Sequence, residues 1–328
     1  MQTLMATKSS RVAGGQDRIS GLSDELLETI LNRLHSAADA ARTSVLSRRW
    51  RSVWTRIPDL IFLNDVASPD AVDAAMAAHS APAIDRLAVA LADMSRPVSA
   101  ARAAAWLRFA APRTPREVHL VLPPKQPPAR EEDVVFEDLE VPLFPTTEFL
   151  NVNLVYDFRL RLPVAEASVF ENLRVLCISR CAASGADLSR VVSTQCPSLL
   201  SLDLSLLDAD GDLSFRSDTL ERLSLGVVGD NLRLEVTAPS LEWLQVHGCN
   251  PAEARITAPK LTEVEWDDVY DPALHIFHGT GRRLHRLAVT QWVWYQVPPL
   301  LQRFDVVDEL SLHLLVLPVS LSLVDRAL

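Results

Sequence analysis

Two spacings of apolar residues divide this chain. Between Asp17 and Leu63, apolar residues recur every three or four positions, which is the spacing of an amphipathic helix. From residue 57 onward the pattern apolar-x-x-apolar-x-apolar recurs instead, and the alternation inside each copy is typical of a β-strand. The sequence therefore predicts an α+β protein in which a short helical head is followed by a long repetitive body.

The head is predicted to contain two or three short helices. Ser23 is suited to cap the first helix, and Asp24 and Glu25 are placed favourably in its first turn. After a break at 35–38, a second helical run ends before Pro58. Helices this short bury only part of their apolar surface, so we expect some of that surface to dock a partner.

The body repeats its pattern at a nearly constant interval. Clear copies start 20–26 residues apart, and weaker copies before them start 26–32 residues apart. A period of this size predicts a leucine-rich-repeat solenoid with one parallel strand in each turn. The clear copies begin at Leu173, Leu199, Leu220, Leu241, Leu261, Leu284 and Val307, and the weaker ones at Ile57, Ile84, Pro115 and Thr147.

Early and late turns of the body differ in the segment that connects one strand to the next. Alanine-rich runs at 71–79 and 99–111 are predicted helices, with a proline shortly before each. Later turns are too short for a helix, and 232–236 and 254–256 alternate, so we expect short extended segments there. The body should thus become richer in strand toward its end. The Pro-rich stretch 123–133 is expected to be a solvated insertion.

These patterns divide the chain into a disordered tail at 1–16, a helical head at 17–63 and a repeat body at 64–328, with the clearest repeats at 173–315. The apolar run 312–324 provides no polar cap, which the last turn of a solenoid needs. We expect a truncated or alternative ending that leaves an apolar edge.

Composition and charge exclude several classes of function. The chain has 328 residues, 48% of them hydrophobic, so a packed core is expected. No run approaches the roughly 18 apolar residues of a membrane-spanning helix, so no membrane association is expected. Nine Lys/Arg against six Asp/Glu give residues 1–60 a charge of +3, and the remainder carries −13. Such an acidic bulk repels phosphate backbones, so nucleic acid is not expected as a partner.

No catalytic, metal or cofactor site is predicted. Four cysteines are too few for a disulfide framework, which favours a reducing compartment, the nucleus and/or the cytoplasm. Cys181 and Cys249 fall where the repeat consensus has an interior Asn or Cys. The acidic stretch 208–212 lacks the glycine and glutamate of a calcium loop, so we expect a turn. His275 and His278 lack an acidic partner at helical spacing.

The head resembles a known family. Two segments carry the resemblance, DRISGLSDELL at 17–27 and ARTSVLSRRWR at 41–51, and both are similar to the F-box of plant F-box/leucine-rich-repeat proteins. Further matching positions are Ile30, Leu31, Leu34 and Trp54. The family usually has Leu-Pro where this chain has Leu22-Ser23. Since either residue can start a helix, we expect an intact fold and slightly weaker docking.

The resemblance implies a partner. An F-box binds the Skp-type adaptor of a cullin–RING ubiquitin ligase, so the chain is expected to be a substrate-recognition subunit rather than an enzyme. The residues expected to face the adaptor are Leu22, Leu26, Ile30, Leu31, Leu34, Val45, Leu46 and Trp50. About half of them should touch it directly, because helices this short cannot hide both apolar stripes. Leu27, Val53 and Trp54 are expected to lie in the core or against the next domain.

An unknown target protein is expected on the body. Positions between the repeat leucines alternate with them and form a ladder on the concave face. One patch of this ladder combines an aromatic side chain with carboxylates, which suits a basic segment with an apolar anchor. The patch contains Trp243, His247, Glu263, Glu265 and Asp267. The alternative is an ordinary solvated polar face.

Two other functions are compatible with this organisation. The chain would be an interaction scaffold if its head does not engage the adaptor. It would be a small-ligand receptor if it resembled the hormone-sensing F-box relatives, although those have a longer solenoid and a basic cofactor floor that this sequence lacks.

Overall fold

A computed structural model describes residues 19, 21–34, 36–63, 68–123, 136–154, 158–163, 169–227, 232–292 and 299–315. Three predicted features lie outside these ranges: the disordered tail at 1–16, the Pro-rich insertion beyond Pro123, and the part of the apolar run 312–324 that comes after Leu315.

The head consists of short helices, as predicted. They are α1 (Asp24–Asn32), α2 (Ala37–Arg42) and α3 (Trp50–Val53), with 3-10 turns at Thr43–Val45 and Trp54–Arg56. The Ser23 hydroxyl accepts a hydrogen bond from the Leu26 N–H at 3.4 Å, which confirms the predicted cap of α1.

The second helical run of the head is broken, contrary to the continuous run that the sequence predicts. The Thr43 hydroxyl donates to the Ala40 carbonyl oxygen at 2.6 Å where α2 ends. Threonine, serine and β-branched valine follow one another at 43–45, and such residues compete with or weaken helical hydrogen bonding. The chain therefore forms separate turns and presents the residues between α2 and α3 in a loop.

Strands dominate the rest of the chain. In chain order they are β1 (Asp59–Leu63), β2 (Arg86–Ala90), β3 (Glu117–Val121), β4 (Glu137–Glu140), β5 (Phe149–Asn153), β6 (Phe158–Arg161), β7 (Val175–Ser179), β8 (Ala182–Ser184), β9 (Ser201–Leu206), β10 (Asp208–Asp210), β11 (Leu213–Arg216), β12 (Arg222–Val227), β13 (Arg233–Thr237), β14 (Trp243–Val246), β15 (Glu253–Thr257), β16 (Glu263–Trp266), β17 (His275–His278), β18 (Arg283–Trp292) and β19 (Val306–Leu315). The helices among them are α4 (Pro69–Ala78), α5 (Ala100–Ala110), α6 (Gly185–Arg190) and α7 (Pro299–Arg303).

All strands pair in parallel. One large sheet has the order β1-β2-β3-β5-β7-β9-β12-β14-β16-β18-β19, and each copy of the repeat found in the sequence supplies one of these strands. Two four-stranded sheets, β10-β8-β6-β4 and β11-β13-β15-β17, are formed by the segments between them. The fold is thus mixed α/β, with α4 and α5 between the first strands and more strand later, as predicted.

Some of the short strands were not predicted. The acidic stretch 208–212, expected to be a turn, forms strand β10 before Gly211 turns the chain with a φ of 94°. β10 pairs with β8, in the register Asp208 to Ala182. The sequence of β10 has no apolar alternation of its own. Its extended conformation therefore depends on pairing with β8.

The core lies on one side of the large sheet. Leu202, Leu223, Leu244 and Val264 stand beside one another in the strand register and are all buried. The residues that alternate with them point to the opposite side, which we call the open face.

Candidate interaction surfaces

Helix α1 has one buried and one exposed apolar stripe. Leu27 and Leu31 are each 1% exposed and belong to the core, whereas Leu26, Ile30 and Leu34 are 53%, 44% and 43% exposed. Both stripes repeat at i, i+4, so they run along the same helix at different angles. The inclusion of Leu31 among the adaptor-facing residues was wrong, because a side chain inside the core cannot contact a docked partner.

The loop between α2 and α3 adds the two most exposed apolar side chains of the head. Val45 is 83% exposed and Leu46 is 65% exposed. Leu22 and Trp50 are partly buried and pack against the core. We call Leu26, Ile30, Leu34, Val45 and Leu46 the head surface. Ile19, exposed and outside the predicted set, belongs to the same segment of the chain.

Leu27, Val53 and Trp54 are buried, which confirms their predicted place in the core. Their packing fixes the helices of the head relative to one another. The exposed side chains of the head surface are therefore held on helices that a packed core positions.

Ion pairs hold the start of α1 against the end of the head. The Asp24 carboxylate accepts hydrogen bonds from Arg49 Nε at 2.6 Å and from Arg56 Nη2 at 3.0 Å. Arg56 Nε also lies 3.0 Å from Glu28 Oε1. The hydrogen bonds from Arg49 and then Arg56 hold the pKa of Asp24 below its usual value. These charges therefore compensate one another within the head.

The predicted target patch comes together on the open face. Strand β14 lies beside β16 with Trp243 opposite Glu263 and Gln245 opposite Glu265. Trp243, His247, Glu263, Glu265 and Asp267 are all half-buried, while the alternating Leu244 and Val246 are buried.

Two residues of the patch, Trp243 and Asp267, already contact other side chains of this chain. The Arg222 guanidinium carbon lies 4.5 Å from the centroid of the Trp243 ring, so a cation already covers part of this aromatic surface. The Thr290 hydroxyl donates to Asp267 Oδ1 at 2.6 Å. Among the described residues, neither Glu263 nor Glu265 has an ion-pair partner. Asp267 also lacks a cationic partner there, and Arg286 stands opposite Glu263 in the strand register, so the patch is acidic with arginine at its edges.

His247 is fixed by its neighbour. A Cβ placed on Gly226 would lie 2.3 Å from His247 Nε2, so the imidazole occupies the space that a side chain at 226 would fill. Gly226 is thus needed for close packing rather than for a special backbone angle. The sequence placed both residues on the open face but gave no signal for this contact.

Cys181, Cys196 and Cys249 are interior groups, as predicted for Cys181 and Cys249. The Cys249 thiol accepts from the Val227 N–H at 3.2 Å and donates to the Leu225 carbonyl at 3.3 Å. Burial raises the pKa of both thiols to about 12. No group of three or more His, Cys, Asp or Glu side chains in the described part of the chain is placed to hold a metal ion. None of the helices described there has the length and apolarity to cross a membrane.

Comparison with known families fits this arrangement. The F-box domain family matches residues 19–62. The family described as "FBD-associated F-box protein At5g56370, LRR repeats" matches residues 103–293. The head surface therefore lies in the F-box, and the target patch lies in the leucine-rich repeats.

Curated relatives from Arabidopsis thaliana extend the match. F-box protein At5g03100 is 30% identical over 254 residues, which make up 77% of this chain and 77% of that protein. F-box/FBD/LRR-repeat protein At3g52680 is 27% identical over 293 residues, 84% of this chain and 61% of that protein. F-box/LRR-repeat protein At5g02910 is 43% identical over 70 residues, 21% of this chain and 15% of that protein.

An F-box followed by leucine-rich repeats defines a class of modular interaction proteins. This chain belongs to the plant F-box/LRR family.

Proposed function

We propose that this chain is the substrate-recognition subunit of an SCF-type cullin–RING ubiquitin ligase. Its head would bind the Skp-type adaptor, and through the adaptor the cullin. One observation carries the proposal: five large apolar side chains of the F-box are exposed, three in or just after α1 and two between α2 and α3, while their neighbours Leu27 and Leu31 are buried in the core. Exposed apolar surface of this extent marks an interaction site.

The body would present the target. We infer that the parallel strands wind as a leucine-rich-repeat solenoid with the open face as its concave side. The step from strand order to solenoid is supported by the match to LRR repeats over residues 103–293.

The chemistry would belong to other subunits. No catalytic role is assigned to this chain, which would act in the nucleus and/or the cytoplasm by raising the effective concentration of a target lysine near the charged ubiquitin carrier. An interaction scaffold without ligase engagement is the other outcome of the adaptor-binding experiment.

The adaptor proposal predicts that Leu26→Asp and Ile30→Asp each abolish binding to a purified plant Skp-type adaptor. Both side chains lie on the head surface, where docking excludes water. A carboxylate left unpaired in such a surface costs several kcal/mol, more than an uncharged polar group would. The measurement is the dissociation constant with the full chain, by calorimetry or interferometry.

The matched control is Val269→Asp, which introduces the same charge at an apolar position of the body that is 68% exposed. It should bind the adaptor like the wild-type chain. Normal binding by both head variants would refute the F-box docking role, provided that circular dichroism shows unchanged folding in all three proteins.

We further propose that Trp243, His247, Glu263, Glu265 and Asp267 receive the target through a basic segment. Glu263 and Glu265 supply negative charge that has no ion-pair partner among the described residues. Trp243 supplies an apolar anchor once the Arg222 guanidinium moves off its ring or stacks with the ligand. A polar face that only contacts solvent is the competing interpretation.

The target proposal predicts that Glu263→Lys/Glu265→Lys weakens capture of the cellular target and flattens its dependence on salt, because opposite charges on the two partners are screened over about 10 Å at 0.1 M salt. Adaptor binding should not change. The control is Glu221→Lys/Glu242→Lys, which reverses two exposed carboxylates at the starts of neighbouring strands. The measurement is quantitative proteomics of the pulled-down partners. If all variants capture the same partners in the same amounts, the recognition surface lies elsewhere.

A further inference from the structure

Most charges of the head are compensated within it. Asp24 is paired with Arg49 and Arg56, Glu28 with Arg56, and Asp39 with Arg42. Asp59 accepts a hydrogen bond from the Asn32 amide at 3.1 Å. The acidic residues of the head are thereby used to hold its helices in place.

Three arginines are left over. Arg33, Arg48 and Arg51 are exposed, and within the described residues none of them has an ion-pair partner. Arg51 donates through Nε only to the Ser44 carbonyl, at 3.4 Å. Two acidic residues of the described head also lack an arginine partner: Asp59, which is bonded to the neutral Asn32 amide, and Glu25, whose pKa is lowered by a hydrogen bond with the Ser23 hydroxyl. The uncompensated charge of the described head is therefore positive.

These arginines lie next to the apolar side chains of the head surface. Arg33 comes three residues after Ile30 and seven after Leu26, so it shares their side of α1. Arg48 and Arg51 follow Leu46, 65% exposed, in the loop and in α3. Each of the three cations thus lies within a few positions, along α1 or along the chain, of an apolar side chain of the head surface.

We propose that Arg33, Arg48 and Arg51 form a basic rim that selects a partner with acidic side chains around its apolar docking groove. The proposal rests on the adaptor function proposed above and adds the charge that the adaptor must present. The body of this chain carries a net negative charge, so its overall field repels an acidic adaptor, whereas the head attracts it. The rim would therefore both speed encounter and orient it.

Such rim charges act mainly on association. Side chains at the edge of an interface stay partly hydrated, so they add little to the bound state, but their field steers the approach of an oppositely charged partner. This field is screened by salt, whereas the apolar contacts at the centre are not. The two parts of the surface can therefore be separated kinetically.

The test measures association and dissociation rate constants of the full chain with a purified plant Skp-type adaptor, from about 20 mM to about 500 mM salt. Arg33→Glu/Arg48→Glu should lower the association rate constant about tenfold or more at low salt and flatten its salt dependence. At high salt the variant and wild type should converge, with dissociation rates within about twofold of each other.

Arg108→Glu/Arg174→Glu is the control, because both arginines are exposed on the body and lack an ion-pair partner among the described residues. Association of the head variant at the wild-type rate, while Leu26→Asp still loses binding, would overturn the basic rim and leave the adaptor function intact. Absence of adaptor binding by the wild-type chain would instead refute the adaptor function, and wild-type binding by both Leu26→Asp and Ile30→Asp would refute docking through the head surface. Tight wild-type binding to duplex DNA, lost in the head variant, would reassign the rim to nucleic acid and also overturn the proposal.

Discussion

Adjacent residues of the head have opposite roles because a helix turns about 100° per residue. Leu26 is exposed and Leu27 is buried, although the two are chemically identical and consecutive. Position on the helix, rather than residue type, therefore decides whether a leucine stabilises the head or meets a partner.

The cysteines show the same dependence on position. Cys177 lies on the open face, half-buried and opposite Asp203 in the strand register, while Cys181, Cys196 and Cys249 are buried. Burial, with a smaller contribution from the Asp203 carboxylate, raises the pKa of Cys177 to about 11. Because the thiolate is the reactive form, all four thiols are poor nucleophiles at neutral pH.

We predict that iodoacetamide modifies native Cys177 before the other three cysteines, slowly at pH 8 and about tenfold faster per pH unit up to its pKa. Replacing Asp203 by Asn should lower that pKa and speed the reaction, because the thiolate no longer forms beside a carboxylate. Mass spectrometry of the alkylated chain measures both effects. Earlier modification of Cys249 than of Cys177 would contradict this assignment.

At the scale of elements, the strands of the large sheet could be predicted because each contains its own signal. Leu173, Leu176 and Ile178 show the repeat by themselves, and the structure places Leu176 and Ile178 in the core side of β7. Some strands of the four-stranded sheets, such as β8 (Ala182–Ser184) and β10 (Asp208–Asp210), contain little apolar alternation. They form because pairing with a neighbour outweighs weak local propensity, and that neighbour is far away in the sequence.

The candidate surfaces were predictable to a similar degree. Periodicity identifies two apolar stripes on α1 but cannot say which one faces the core, and Leu31 was therefore misplaced. The contact of Arg222 with Trp243 follows from strand register, yet whether the two side chains lean together depends on rotamers. The rim arginines emerge only after the ion pairs of Arg49 and Arg56 are known.

At the scale of the whole molecule, head and body share one core. Buried apolar side chains run without interruption from Leu27 in α1 to Phe304 beyond α7. Polar contacts join the two parts at the same place: the Ser80 N–H donates to the Thr55 carbonyl at 2.8 Å, and the hydroxyls of Thr55 and Ser80 lie 3.0 Å apart. The orientation of the adaptor relative to the target patch would depend on this joint.

His79 lies at the centre of the joint. The side chain is 5% exposed, with Nε2 3.0 Å from the Ile57 carbonyl oxygen, and the edge of its ring faces Phe109. Its Nδ1 is buried and has no hydrogen-bond partner among the residues that the structure describes. Burial lowers the pKa of His79, the Ile57 carbonyl opposes that shift, and nearby Arg113 adds to it. The folded joint therefore favours the neutral imidazole.

Because the folded state holds the pKa of His79 below its ordinary value of 6.5, the unfolded chain takes up the proton first as the pH falls. The contribution of neutral His79 to the free energy of unfolding is thus complete above about pH 7. It decreases as the pH falls below about 6.5, by at most about 1.4 kcal/mol per pH unit. We predict that His79→Gln, which keeps a donor for Ile57 and does not titrate, removes this component. Hydrogen exchange at the Ser80 amide and urea unfolding, each at pH 7 and pH 5, measure the stability of wild type and variant. The difference between the two chains gives the contribution of His79, because the titration of His119 is common to both and cancels. An equal loss of stability in both chains would show that the joint does not depend on the protonation of His79.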